Sequence, residues 1–119
     1  MKRAIAITLT LIIVLSLSSC GGKKSLASTW QLTDKGDNKR HIGDQFILSD
    51  NGRVYDKDDI IRVIINTWHD MVSWEVNGDM IIFTDDYSHC YYFKYQLSGG
   101  ELRLCEDGSN YWYVFRRVS

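Results

Sequence analysis

Proline is absent from all 119 residues, cysteine occurs three times, and neither sign of charge dominates, with 14 basic and 15 acidic side chains giving a formal net charge of −1. Each scarcity narrows the reading. A chain without proline has no residue that strips a donor from the interior of a sheet. Near-neutrality with interspersed signs argues against nucleic acid as a partner, because a DNA or RNA binder concentrates lysine and arginine on one face. The paired bases Lys23-Lys24 and Arg116-Arg117 are the exceptions, and Lys23-Lys24 falls in a short Gly/Ser/Lys stretch that reads as a solvated linker. Long apolar runs are also missing. The longest, Ala4 through Leu17, is shorter than the roughly 18 residues a membrane-spanning helix requires.

That apolar run is informative for what surrounds it. Met1-Lys2-Arg3 precedes it as a positively charged start, and Leu17-Ser18-Ser19-Cys20-Gly21 follows it. This order fits a secretory signal, and the final five residues resemble the lipobox of bacterial lipoproteins: an aliphatic residue, two small residues, then the cysteine that becomes the first residue of the mature chain. The resemblance implies cleavage before Cys20 and covalent lipid on its sulfur. Two or three acyl chains hold a protein stably, whereas a single chain does so only marginally. The expected organisation is a signal peptide at 1–19, a lipidated tether at 20–27 and one folded domain at 28–119. Loss of Lys2 and Arg3 leaves 12 basic and 15 acidic side chains, a net charge of −3. Gly21 after the cysteine, where inner-membrane retention is associated with aspartate, points to the outer membrane, facing the periplasm.

From Ser28 onward, short segments rich in Trp, Tyr, Phe, Ile and Val alternate with Gly/Asn/Asp clusters, the pattern of antiparallel strands joined by tight turns. Eight strands are expected, at 28–33, 44–48, 53–55, 70–76, 79–84, 89–97, 101–106 and 111–118. A two-residue turn at Asn77-Gly78 places Val76 opposite Asp79 and Trp74 opposite Ile81, with Val72, Trp74, Val76, Ile81 and Phe83 on one face. Gly99-Gly100, treated likewise, puts Tyr91, Phe93, Tyr95, Leu97, Leu102 and Leu104 together, and the last hairpin adds Tyr111, Tyr113 and Phe115. Three one-sided hairpins in succession imply a sheet buried on one face and closing on itself. The fold class is therefore all-β: a small up-and-down antiparallel barrel of about eight strands. One segment, 58–67, has Ile/Val content that suits a strand, but Ile60, Ile61, Ile64 and Ile65 fall at helical spacing; between the two, a short helix is favoured, capped by Asp58 or Asp59 and able to cover one barrel mouth.

Ser28-Thr29-Trp30 on the first strand resembles the Gly-x-Trp element that opens lipocalin and other calycin barrels, with serine in place of the glycine, and Phe115-Arg116-Arg117 resembles their closing arginine. The layout from Thr29 to Val118 is similar to small lipocalin-like lipoproteins of Gram-negative bacteria. The resemblance implies that Trp30 packs beneath Arg116 or Arg117, and Trp30 with Arg116 is taken as the closing pair.

Few residues invite catalysis. His89 neighbours Cys90 and so, in a strand, points to the opposite face, which deprives a nucleophilic thiol of its base. Cys90 and Cys105 lie on one outer face but about 13 Å apart along the strand at the derived register, beyond the roughly 7 Å that a disulfide spans. His41, His69 and His89 show no metal-ligand spacing and read as solvated. Asp56, Asp58, Asp59, Asp85 and Asp86 lack a calcium loop and read as turn and cap residues. Neither metal nor cofactor is expected beyond the lipid on Cys20.

The inward aromatic set Trp74, Tyr91, Phe93, Tyr95, Tyr111 and Tyr113 admits two readings: a filled core, or a pocket with polar tips for a small apolar or amphipathic ligand. The leading functional expectation is a non-enzymatic, membrane-anchored binding module. The alternative is an envelope protein that acts on another protein, similar in architecture to small barrel lipoproteins that inhibit lysozyme, through the charged loop at 33–43.

Overall fold

A computed structural model describes residues 25–33 and 41–118. The leader, Cys20 and most of the 33–43 loop lie outside the described residues.

The strands are β1 (Ser28–Leu32), β2 (Gln45–Leu48), β3 (Val54–Tyr55), β4 (Met71–Asn77), β5 (Met80–Asp85), β6 (Cys90–Ser98), β7 (Glu101–Glu106) and β8 (Tyr113–Arg117), with one helix, α1 (Ile60–Ile65), between β3 and β4. They form one antiparallel sheet in the order β3-β2-β1-β8-β7-β6-β5-β4. Every strand except β3 pairs with the strand that follows it in sequence, and β1 pairs with β8, so this is a nearly closed up-and-down barrel. The seam between β3 and β4 is joined by a bridge from Arg53 to Ser73. Trp74 reinforces it: its backbone N–H donates to the Gly52 carbonyl at 2.9 Å, and its indole N–H to the Ser49 carbonyl at 2.8 Å.

The barrel has two unlike ends. At one, here the turn end, the chain arrives at Ser25–Ala27 and the hairpins β2-β3, β4-β5 and β6-β7 reverse. Gly78 and Gly99 take φ of 64° and 61° there, and neither Asp79 nor Gly100 shares a positive φ. That is the pattern of two-residue turns with glycine at the first central position. The second turn gives the expected register, Ser98 opposite Glu101 and Lys94 opposite Cys105. The first differs from expectation: Asn77 pairs with Met80 and Trp74 with Phe83, so the turn residues are Gly78-Asp79. The slip is two residues, an even number, so it leaves Trp74, Val76, Ile81 and Phe83 on their expected face.

The turn end is sealed from within. Trp30 is fully buried, its indole N–H donates to the Leu26 carbonyl at 2.8 Å, and the Arg117 guanidinium lies over its ring, 4.6 Å from the centroid. Arg117 also donates to the Ser25 carbonyl. The closing arginine is thus Arg117 and not Arg116. Trp30 and Arg117 face each other across the β1-β8 ladder, and strand alternation sends Arg116 to the outer, solvated side.

At the opposite, helix end, α1 lowers Ile60 and Ile61 into the core. Its cap differs from expectation. Asp59 occupies the capping position in a left-handed conformation without a side-chain bond, and the carboxylate of Asp56 instead accepts the N–H groups of Ile61 and Arg62 at 3.0 and 2.9 Å. Asp56 reaches them because the chain between β3 and α1 turns back over the helix N-terminus, where two unpaired donors need an acceptor. At the other terminus Asn66, also left-handed, returns its N–H to the Arg62 carbonyl at 2.7 Å and ends the helix.

Between the ends large rings fill the middle of the barrel among the described residues. Trp30, Phe46, Phe83, Phe93 and Phe115 have no accessible surface, so no water-sized void borders them. Phe46 meets Phe115 edge-on at 4.9 Å between centroids, and Phe83 meets Phe93 likewise at 5.4 Å, a geometry that satisfies the ring quadrupoles.

Candidate functional site

The β4-β5 ladder carries past the last strand pair at the helix end and there assembles a polar cluster. Met71 pairs with Asp85 after a bulge that puts Val72 out of step, so Met71 rather than Val72 takes the inward place. Beyond it the Asp86 N–H donates to the Asp70 carbonyl at 3.0 Å, and the His69 ring packs against Tyr87 at a 39° tilt with centroids 4.1 Å apart. The β5-β6 turn then folds His89 back over Asp85. Ring nitrogens of His69 and His89 and a carboxylate oxygen of Asp85 all lie within 4.8 Å of one another.

Asp85 is the anchor. Its side chain is buried, although His89 above it is 60 % exposed. One carboxylate oxygen accepts the N–H groups of Tyr87 and His89 at 2.9 and 2.8 Å. The other takes the Tyr91 hydroxyl at 2.8 Å and faces His89 Nδ1 at 3.2 Å. Burial pushes this carboxyl up, but the bonds from Tyr91, from the two backbone donors and from the His89 ring outweigh it and bring its pKa down to about 2. Tyr91 moves the other way. A hydrogen bond with Thr67 lowers it, but burial and the Asp85 carboxylate prevail and leave it above the ordinary phenol value. His69 Nδ1 lies 3.8 Å from Asp86 Oδ1, and Asp70 pairs with Arg62 at 2.9 Å.

Two aromatic side chains at this end lie outside the hydrophobic core. Trp68 is 90 % exposed and Tyr87 67 %. At the same end of the barrel an open depression of about 310 Å³ is lined by Val54, Tyr55, Asp56, Lys57, Asp59, Asp70 and Met71.

The six aromatic residues expected to face inward are distributed unequally. Phe93 is enclosed in the core and Trp74 is buried at the seam. Tyr91 is committed to Asp85. Tyr95 and Tyr113 pack against the core from its margin, and Tyr111, before β8 begins, sits on the rim edge-on to Tyr113 at 4.6 Å. None of them lines the depression. Cys90 and Cys105 are both free thiols. Cys105 is on the outer face yet buried, because the 107–110 turn folds over it and the Ser109 carbonyl receives its S–H at 3.2 Å.

The residues read as solvated histidines and turn acids are therefore those that the fold gathers. Separated by twenty residues, His69 and His89 carry no spacing signal. Extending the β4-β5 ladder two residues beyond its hydrophobic part would have brought them together. Compared with protein-family models, with curated proteins and with solved structures, the chain matches none.

Proposed function

We propose that this protein is a non-enzymatic interaction module of the bacterial cell envelope, anchored by lipid on Cys20 and engaging a protein partner through the helix end of its barrel. The observation that carries this reading is the pair Trp68 and Tyr87, nine-tenths and two-thirds exposed, at the end opposite the chain's arrival. Large rings that contribute nothing to the core are the side chains that anchor protein interfaces. The ring-filled middle of the barrel supports the same reading, since an enclosed ligand would need space that Trp30, Phe83, Phe93 and Phe115 occupy.

The polarity of the barrel fits such a role. Four residues lie between Cys20 and Ser25, and the five steps span at most about 18 Å of extended chain, so the lipid holds the turn end near the membrane and the helix end faces away. A second reading, a small amphipathic ligand, is favoured by the depression beside Tyr55 and Met71.

A photo-crosslinking residue placed at Trp68, compared with one at Asp79 on the turn end, tests the proposal in native envelopes. A discrete protein adduct from position 68 alone is expected, together with its loss when a Cys20→Ser precursor leaves the membrane fraction. Equal labelling from both positions would sink the helix-end assignment. Recovery of the chain with a stoichiometric small molecule would favour the second reading.

A further inference from the structure

We propose that His69, Asp85 and His89 form a binding site for a divalent transition metal ion, with zinc the best match. Two imidazoles and one carboxylate are a donor set suited to borderline cations and unsuited to calcium or magnesium, which prefer oxygen alone. Zinc bonds of about 2.0–2.1 Å in tetrahedral geometry set neighbouring ligand atoms roughly 3.4 Å apart. His89 Nδ1 and Asp85 Oδ2 stand at 3.2 Å. The His69 nitrogen, within 4.8 Å of both, needs to move by about 1.5 Å to complete the triangle at zinc–ligand spacing.

The surroundings supply what a metal site needs beyond its ligands. Outer partners that fix the first ligands and their orientation sustain metal affinity. Here Asp85 is held by the backbone N–H groups of Tyr87 and His89 and by the Tyr91 hydroxyl, and Tyr87 packs at a tilt against the His69 ring. Asp86, 3.8 Å from His69, adds negative charge. The proton balance is simple. A neutral His89 that donates from Nδ1 to Asp85 moves that proton to Nε2, and a protonated His89 releases one to solvent; in either case Nδ1 and Oδ2 become free to ligate. His89 is exposed, so a fourth position opens outward, away from the core, to water or to a donor from another molecule. Three protein ligands with one open position is an arrangement zinc accepts.

The site goes beyond the interaction reading and does not depend on it. Zinc chloride titrated calorimetrically into the full chain in detergent micelles is expected to bind with one ion per chain. His69→Ala and His89→Gln should each weaken that binding at least tenfold, whereas His41→Ala, whose ring is paired with Asp44, should leave it unchanged. Both altered histidines are partly or largely exposed, so unaltered melting curves without metal will show that the variants fold; Asp85, with four bonds to keep, is left intact. Cobalt in place of zinc should give visible bands without the near-ultraviolet absorption of thiolate coordination. Binding that survives both histidine substitutions, a thiolate band that places the ion on a cysteine, or no heat up to about 1 mM zinc would each overturn the proposal.

Discussion

Replacing Arg117 by alanine should destabilise the barrel far more than the same change at its neighbour Arg116. Arg117 stacks on the buried Trp30 at 4.6 Å and donates to the Ser25 carbonyl. A cation over an indole contributes about 0.5–2 kcal/mol, and a charged hydrogen bond about 1.5–3 kcal/mol. Arg117 is only half-buried, which places both near their lower bounds, so the loss should be about 2 kcal/mol. For a domain of this size that lowers Tm by about 10 °C. Arg116, on the outer face, should change stability by no more than about 0.5 kcal/mol. Urea unfolding followed by tryptophan fluorescence measures both, and the denaturant slope should be unchanged if only the native seal is affected. Arg117→Lys preserves the charge but not the planar stacking surface and should fall between. Equal losses at the two arginines, or no loss at Arg117, would refute the assignment of the seal to the ladder-paired residue.

Three further outcomes follow from the structure. Burial pushes the Asp56 carboxyl up to about 6, against the pull of the N–H groups of Ile61 and Arg62; the folded state therefore holds a proton between pH 6 and 4 that the unfolded chain does not. Through this group stability should rise as pH falls from about 6 to about 4, and urea midpoints across that window should flatten in Asp56→Asn. The depressed pKa of Asp85, about 2, acts oppositely and lower, with stability lost only as pH drops below about 4 toward 2. Gly78→Ala should cost about 1–2 kcal/mol, because φ is 64° there and an added Cβ meets nothing within 4 Å; a smaller loss in the same urea assay would mean the turn relaxes.

Legibility differed sharply between the barrel and its rim. Strand boundaries followed from alternation and turn residues to within two positions. The Asn77-Gly78 turn was misplaced by one residue, yet the inner set survived because a two-residue slip preserves alternation. Where alternation fails, sequence reading failed with it. The bulge between Met71 and Ser73 exchanges Val72 for Met71 on the inside, and Tyr111 leaves the ladder altogether. The helix was recognisable from its isoleucines, but its cap was not, since Asp56 acts from outside the usual capping position through a chain reversal that only packing determines.

The same contrast separates the core from the candidate site. Its apolar face, the order of its strands and its expected lipid anchor are local properties, written in residues near one another and read by periodicity. Which arginine covers Trp30 depends on the pairing of the first strand with the last, 87 positions apart. The meeting of His69, Asp85 and His89 depends on a ladder running past its hydrophobic part into a turn. Hydrophobic burial repeats along a strand and is visible in one dimension, whereas convergence of polar groups from three segments requires the barrel to close first. Tertiary structure alone decided that histidines without any spacing would gather beside one buried carboxylate.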